Sequence, residues 1–374
     1  MYSNLERSFS SLEDPRVERN KLHQLFDIIV LTICAVVSGA EGWEAIEEFG
    51  QAKQEWLQQF IPLKNGVPSH DCISRVIARL PSEKLTECFV HWVQSVSEIT
   101  EGEIISIDGK TARHSYDKQG GIGAIHMVSA WANQAGLSLG QIKTEEKSNE
   151  ITAIPQLLEL LEIKGCIVTI DAMGCQKTIA KKIQEKGADY VLAVKGNQGL
   201  LEESIRDFFE TFLGEAVEPS TFPEYMHYFE ETDAGHGRVE VRKHFLSDCL
   251  VTLPKTEEWA GLKSIGMVES ERHINGKMSK EQRFYIVSFS EDVKKFAHAT
   301  RGHWGVENSL HWILDVIFRE DDSRIRKGYG PENFNVVRQI ALNLLKQEKS
   351  KISIKKKRFK AALNDKFRES IIFA

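Results

Sequence analysis

Hydrophobic positions recur at helical spacing through the amino-terminal quarter of the chain. The first stretch is strongly apolar and the second is amphipathic, and Ser69 or Asp71 can cap the third. The predicted helices cover residues 23–39, 41–60, 72–80 and 82–96. The pattern therefore predicts a helical amino-terminal domain over residues 1–98.

After residue 103, short apolar runs separated by turn residues replace that pattern. Strands are predicted over residues 104–107, 124–132, 137–143, 166–170 and 190–194, and helices over 153–163, 176–186 and a segment that ends at 212. In chain order these elements read βββαβαβα. Three meander strands followed by right-handed crossovers predict a mixed α/β sheet.

Residues 214–290 interrupt this rhythm and indicate a β-rich insertion. The dipeptide Asn275-Gly276 inside it is typical of a tight hairpin turn. Strands are predicted here over residues 237–245, 264–271 and 284–289, and helices follow over 291–319 and 335–345. We therefore predict a second domain over residues 99–346, which the insertion divides, and a carboxy-terminal tail over 347–374.

Charge is unevenly spread along the chain. The 374 residues are 41% hydrophobic and 27% charged, which is typical of a globular protein with a core, and the net charge is −6. Residues 346–374 hold ten Lys and Arg against three Asp and Glu, so they carry +7 and the preceding residues carry −13. A basic tail on an acidic body predicts non-specific contact with phosphates. A solvated terminal helix is the alternative.

Cysteine spacing and hydropathy bear on the cellular compartment. The six cysteines form no C-x-x-C pair and most lie in apolar runs, which predicts buried free thiols in a reducing cytoplasm. The longest apolar run, residues 28–37, is too short to span a bilayer and lies behind charged residues, unlike a signal peptide. We therefore expect a cytoplasmic protein with no membrane partner.

Two aspartates directly follow predicted strands. Asp108 comes after the run over 104–107, and Asp171 comes after the run over 166–170. If the two strands are parallel neighbours, both carboxylates emerge side by side, which is unfavourable unless a cation lies between them. Mg²⁺ prefers such oxygen ligands, and a pair of ions activates a hydroxyl for displacement at phosphorus. Either aspartate alone also fits a turn or a helix cap.

The helix after the insertion offers further polar side chains. His303, Glu307, His311 and Asp315 recur every four residues and predict one polar stripe on an otherwise apolar, aromatic helix. A buried polar ladder with all partners satisfied is the alternative. A zinc site from His303 and His311 is disfavoured, because two helical turns separate them by about 12 Å along the axis.

Several long motifs together resemble one protein family. They are IISIDGK (104–110), TIDAMGCQKTIA (169–180), DYVLAVKGNQ (189–198), HGRVEVR (236–242) and RGHWGVENSLHWILDVIFREDDSRIR (301–326). With these motifs the chain resembles the DDE transposases of bacterial insertion sequences, and most closely their H-repeat-associated branch. The resemblance covers about residues 10–365.

This resemblance implies a ribonuclease H-like catalytic core, a β insertion before the catalytic glutamate and an associated helical amino-terminal domain. Residue by residue, it implies Asp108 and Asp171 as the first two metal-binding acids and Glu307 as the third.

Around that glutamate the chain departs from wider relatives with a β insertion, which place a Tyr, an Arg and a Lys at fixed offsets. The corresponding positions here hold Thr300, His303 and Leu314. Arg301, His303 and His311 are the available substitutes for holding phosphate.

Other basic residues are candidate DNA contacts. Lys110 and Lys195 lie just beyond strand ends and suit phosphate binding as point charges, although surface lysines have the same appearance in sequence. Arg75 and Arg79 lie on the short capped helix, which predicts entry into a DNA groove, although a plain helical bundle also fits.

Strand alternation within residues 236–242 predicts one polar and one apolar face. The polar face carries His236, Arg238, Glu240 and Arg242, and the opposite face carries Val239 and Val241. A basic face suits contacts to DNA ends, and an ordinary exposed sheet face is the alternative.

These observations predict a transposase that binds the ends of an insertion sequence, hydrolyses a phosphodiester with Mg²⁺ or Mn²⁺, and joins the freed 3′-hydroxyl to target DNA. The expected partners are double-stranded DNA, as inverted repeats and as target, and a second copy of the chain on that DNA, in the nucleoid. One alternative is a ribonuclease H-like nuclease without strand transfer, which the helical domain and the β insertion disfavour. The other is an inactive remnant that only binds DNA, which the complete set of acids disfavours.

Overall fold

The computed structural model describes residues 2–97, 99–116, 123–144, 150–214, 219–235, 238–274 and 276–373. The chain divides into two compact units, and neither is one continuous stretch. The first unit comprises Met1–Glu98, Gly109–Asn149 and Glu307–Ala374, and the second comprises Ile99–Asp108 and Glu150–Val306. The ranges predicted from sequence follow chain order, whereas these units alternate along the chain.

The described residues form helices and strands whose order matches most of the predicted pattern. The helices are α1 (Tyr2–Phe9), α2 (Leu25–Val37), α3 (Trp43–Ala52), α4 (Gln54–Leu57), α5 (His70–Ile77), α6 (Ser82–Val96), α7 (Glu150–Leu160), α8 (Lys177–Glu185), α9 (Gly199–Leu213), α10 (Val293–Val306), α11 (Trp312–Val316), α12 (Gly330–Gln347), α13 (Ile354–Leu363) and α14 (Asp365–Ile372). The strands are β1 (Ile104–Thr111), β2 (His126–Ala132), β3 (Leu137–Lys143), β4 (Ile167–Ile170), β5 (Asp189–Val194), β6 (Met226–Gly235), β7 (Arg238–Ser247), β8 (Ser264–Ile274) and β9 (Lys277–Val287).

Helix α2 lies at the centre of the first unit. It is apolar on all sides and almost wholly buried, as expected for a helix that other helices surround. The predicted helix over 41–60 is in fact two helices, α3 and α4, with a break at Lys53. The predicted cap of α5 is confirmed, because the Ser69 hydroxyl accepts a hydrogen bond from the Cys72 amide at 3.3 Å. Strands β2 and β3 also belong to this unit and pair antiparallel.

The second unit is built on a mixed sheet in the order β1-β4-β5-β9-β8-β7-β6. Strands β1, β4 and β5 are parallel, and the remaining pairs are antiparallel. The predicted β-rich insertion therefore extends the sheet, because β9 pairs directly with β5. The expected hairpin joins β8 to β9, where Ile274 pairs with Lys277. Asn275 of its turn lies outside the described residues, and Gly276 has a φ of 74°.

The carboxy-terminal segment differs from the predicted tail. Residues 354–372 form α13 and α14, and three of their cations are buried in the first unit. Arg358 donates to the Val36 carbonyl at 3.1 Å, and the Arg368 guanidinium lies 3.9 Å from the centre of the Trp56 ring. Lys357 donates to the Leu345 carbonyl at 2.9 Å. The long side chains pack while their charged ends find carbonyls and aromatic faces, so these three cations are unavailable to phosphates.

All six cysteines are free thiols, and four of them are buried. Within the described ranges, the structure contains no helix with both the length and the apolar character to cross a bilayer.

Candidate active site

The parallel pairing of β1 with β4 brings two of the predicted acids to adjacent positions. Ile107 and Ile170 are register partners, and each is followed directly by an aspartate, Asp108 and Asp171. Because neighbouring strands lie about 4.8 Å apart, the two aspartates follow the last register pair on adjacent strands. Asp171 lies directly beyond β4, as predicted, whereas β1 continues past Asp108 to Thr111. The prediction that the two strands are parallel neighbours is confirmed. Both aspartates are half-buried.

Small hydroxyl side chains lie just before the two acids on the same face of the sheet. Thr169 donates to the Ser106 hydroxyl at 3.2 Å, and Ser106 donates to the Gly302 carbonyl of α10 at 3.2 Å. Strand alternation puts Asp108 on the face of Ser106. A cluster of buried apolar residues that includes Ile104 and Phe296 packs α10 against this face. The sequence pattern alone assigns no role to Ser106 or Thr169; the available signal is a polar residue within each otherwise apolar strand.

The carboxylate of Asp171 is only partly stabilised by its surroundings. One oxygen, Oδ1, accepts hydrogen bonds from the Met173 amide at 3.0 Å and the Gly174 amide at 3.3 Å. Burial, followed by repulsion from Glu150, raises the pKa of Asp171, although the two amides and Lys195 oppose this. The aspartate therefore does cap the turn after β4. Its anionic form remains unfavourable, and a bound cation would offset that cost.

The segment that carries the third predicted acid is not a regular α-helix. After α10 the chain forms a π-helical turn over Glu307–His311 and then α11. A π turn changes the angular spacing of side chains, so the predicted stripe at every fourth residue is interrupted. The Glu307 side chain is exposed, whereas His311 is buried. Within the described ranges, no group of three or more His, Cys, Asp or Glu side chains is arranged to hold a metal ion.

Lys110 lies inside a cluster of carboxylates in the first unit. Its ammonium is 2.6 Å from Asp315 Oδ1 and forms an ion pair with Glu320, and the Lys110 side chain is only 13% exposed. Burial alone would lower the pKa of Lys110, but the charges of Glu320 and Asp315 raise it. A phosphate would have to displace these carboxylates, so the position differs from the open point charge that the sequence suggested.

The predicted basic face of the insertion is reversed in the structure. Glu240 and Arg242 of β7 are buried and form an ion pair at 2.7 Å, whereas Val239 on the opposite face is exposed. The reason is charge pairing on the inner face, where Glu240 also accepts from Arg272 at 3.0 Å. Arg242 is therefore engaged within the sheet, Arg238 is about half exposed at the strand end, and His236 lies outside the described residues.

The remaining predicted DNA contacts occupy different environments. Arg75, Arg79 and Lys195 are exposed. Arg301 is half exposed and forms an ion pair with Asp233 at 3.2 Å. Residues His303 and His311 are both largely buried, and burial lowers the pKa of His311 to about 3. Both imidazoles are therefore neutral at physiological pH, and neither can attract phosphate by charge.

His303 should make the second unit sensitive to acid. Its Nδ1 lies 3.1 Å from the Thr169 hydroxyl, and burial, followed by the charge of Arg283, lowers the pKa of His303 from 6.5 to about 4. Between these two values the unfolded chain binds a proton that the folded chain excludes, so stability is lost as the pH falls through this window. We expect His303 to lower the free energy of unfolding by up to about 1.4 kcal/mol per pH unit.

Denaturant unfolding from neutral pH down to about 4 measures this decline. His303→Asn keeps a hydrogen-bonding side chain beside Thr169 and should make the decline shallower. The matched variant His91→Asn removes an exposed imidazole on α6 and should leave the decline unchanged. Equal pH slopes for the wild type and His303→Asn would contradict the assignment.

Comparison with known proteins adds family information to this geometry. Residues 99–344 match the family described as transposase DDE domain, and residues 6–93 match the family described as DDE_Tnp_1-associated. YncI of Escherichia coli O157:H7 is 46% identical over 97% of this chain and 93% of its own length. The H repeat-associated protein YhhI of E. coli K12 is 45% identical over 98% of this chain and 97% of its own length, and both names contain the word transposase. A cryo-EM structure of a piggyBac transposase synaptic complex with hairpin DNA covers 99% of this chain and 78% of that chain, at 12% identity and a TM-score of 0.45.

Proposed function

Because this chain belongs to the family of transposases with a DDE domain, we propose that it cuts DNA at the ends of an insertion sequence and joins them to target DNA. The observation that carries this proposal is the parallel pairing of β1 with β4, in which Asp108 and Asp171 each directly follow the last register pair, Ile107 and Ile170. The parallel strands β1, β4 and β5 also support our proposal that this sheet is a ribonuclease H-like catalytic core.

Asp108 and Asp171 would hold a divalent cation. Their oxygen donors fit Mg²⁺ or Mn²⁺, which bind one or two carboxylates together with water and substrate phosphate oxygens. The raised pKa of Asp171 is consistent with a carboxylate that lacks its counter-charge. When bound, the cation activates the attacking hydroxyl and stabilises the leaving oxygen at phosphorus.

We propose Glu307 as the third ligand. His303 lies beside Thr169, two residues before Asp171, and the chain reaches Glu307 one helical turn after His303. The Glu307 carboxylate is exposed. Lys195 contributes positive charge near Asp171 and is exposed, so it would hold a phosphate of the bound strand.

The reaction that follows from these roles has two displacements at phosphorus. In the first, water attacks and the 3′-oxygen of the element end leaves, which gives a free 3′-hydroxyl. In the second, that hydroxyl attacks a target phosphodiester, and the 3′-oxygen of the target strand leaves. Two element ends must meet for insertion, so we propose a dimer on DNA, in the nucleoid of the cell, with sequence recognition by residues 1–98.

Incubation with the chain's own flanking inverted repeats, target plasmid and Mg²⁺ tests this proposal. We expect new 3′-hydroxyl groups at the element ends and covalent joining of those ends to the plasmid. Cleavage without joined products would favour a nuclease without strand transfer. End-specific binding with neither product would favour an inactive DNA-binding remnant, and a duplex of scrambled sequence is the control.

A further inference from the structure

A loop between α11 and α12 is fixed to the end of α5. The Tyr329 amide donates to the Ala78 carbonyl at 3.0 Å. Asn333 donates to the Ile77 carbonyl at 2.7 Å and to the Leu80 carbonyl at 2.8 Å. The last carbonyls of a helix have no partner within the helix, so these bonds supply the partners that α5 lacks.

Glycine is required for this close approach. Gly328 has a φ of 53°, and a Cβ at this position would overlap the Ala78 carbonyl oxygen. The loop is therefore built to lie against α5 in one arrangement. On its other side, Arg326 donates to the His114 carbonyl at 3.2 Å and lies over the Tyr116 ring at 4.9 Å. Both contacts are made by the Arg326 guanidinium, which is therefore not part of the exposed charge of the loop.

The docked loop completes an exposed row of positive charge, which we call the basic ridge. It consists of Arg75 and Arg79 at the end of α5 and Arg324 and Lys327 on the loop. All four side chains are exposed, and within the described residues none forms an ion pair with a carboxylate.

Nearby acids on the loop side are neutralised elsewhere. Glu320 pairs with Lys110, Asp321 with Arg113 at 3.4 Å, and Asp322 with Arg319 at 3.0 Å. Asp71, on the first turn of α5, is exposed. Its backbone carbonyl accepts a hydrogen bond from Arg75 at 3.1 Å, and its carboxylate lies 3.8 Å from His70 Nε2. The ridge therefore keeps a positive charge although the chain as a whole is acidic.

We propose that the basic ridge binds the phosphate backbone of duplex DNA, so that Arg324 and Lys327 extend the contact begun by α5. This inference rests on the proposed function, which supplies the duplex. Exposed cations at a helix end and on a loop are suited to contact phosphates. Such contacts position the protein on a duplex without reading its sequence. The bonds to Ala78 fix the loop cations relative to those of α5, so both sets contact the same duplex.

Binding of the full-length protein to a fluorescent inverted-repeat duplex, titrated with salt, tests the ridge. The double variant Arg324→Ala/Lys327→Ala should weaken binding of this duplex and of a scrambled duplex by similar factors. The slope of log affinity against log salt should become shallower by about 2, because each lost phosphate contact releases about 0.9 fewer counterions. The charge-conserving variant Arg324→Lys/Lys327→Arg should retain the wild-type slope.

Lys164→Ala/Lys263→Ala removes two exposed cations from the second unit and is the matched control. It should leave the slope near the wild-type value. An unchanged slope in the ridge variant, or an equal change in the control, would overturn the proposal. The proposal would also be overturned if the ridge variant lost affinity for single-stranded RNA but kept its affinity for duplex DNA. If the wild type itself shows no end-specific binding or cleavage, it is the proposed function that fails and not the ridge alone.

Discussion

Replacing Asp108 or Asp171 with asparagine should abolish cleavage at element ends while the fold and DNA binding survive. Asparagine keeps the size of the side chain and one oxygen, but it removes the negative charge that holds a divalent cation. Metal assistance contributes several kcal/mol to such reactions, so we expect cleavage to fall at least about a hundredfold. Time courses with end-labelled inverted-repeat DNA and Mg²⁺ measure the loss.

The metal-free stability of these variants sharpens the test. Burial and Glu150 already disfavour the anionic form of Asp171, so Asp171→Asn should not lower the melting temperature. Asp207→Asn, on the exposed face of α9, is the matched control and should retain cleavage. Ca²⁺ should support DNA binding without efficient cleavage. Full cleavage by Asp108→Asn or by Asp171→Asn would refute the metal-binding role of that residue.

The pair of aspartates was predictable because the sequence carries two local signals for it. The runs before Asp108 and Asp171 are short and apolar, which is typical of buried parallel strands, and each ends in an acid. Side chains at the carboxyl ends of parallel strands share one edge of a sheet. If the two strands are neighbours, the two aspartates must therefore be adjacent. The register between Ile107 and Ile170 confirms that step.

Features that depend on which surface is covered could not be predicted in the same way. Alternation in β7 separates Glu240 and Arg242 from Val239 and Val241, but it does not say which face is buried. Because Glu240 and Arg242 are charged, the sequence predicts that their face is the exposed one. In the structure, the ion pair of Glu240 with Arg242 and the hydrogen bond from Arg272 make the charged face the inner one.

Long-range partners explain the other departures. Nothing near Arg358 in the sequence indicates that its guanidinium meets the Val36 carbonyl, which lies 322 positions away. Likewise, the partners of Lys110 are Asp315 and Glu320, about two hundred positions further along the chain. From sequence alone, the cation-rich segment therefore predicts a basic tail that contacts phosphates, and the buried Lys110 predicts a phosphate ligand.

Glu307→Gln should remove cleavage without destabilising the protein, which would identify Glu307 as the third acid. The side chain is exposed, so losing its charge should change the free energy of unfolding by no more than about 0.5 kcal/mol. Glutamine keeps the length of the side chain but not the anionic ligand, and we expect cleavage to fall at least about a hundredfold. Cleavage assays and thermal melts on the same preparation measure both quantities.

The nearby acids Glu320, Asp321 and Asp322 are the competitors for this role, and the structure separates their expected behaviour. Glu320 is 2% exposed and shares the Lys110 ammonium with Asp315, so Glu320→Gln should destabilise the fold by about 1.5–3 kcal/mol, because it removes one of the charged partners of a buried cation. Asp322 is exposed and pairs with Arg319, so Asp322→Asn should cost no more than about 1 kcal/mol and leave cleavage intact. Asp321→Asn should also retain most activity. An active Glu307→Gln, together with a variant at 320, 321 or 322 that is inactive but fully stable and still binds DNA, would transfer the third ligand to that position.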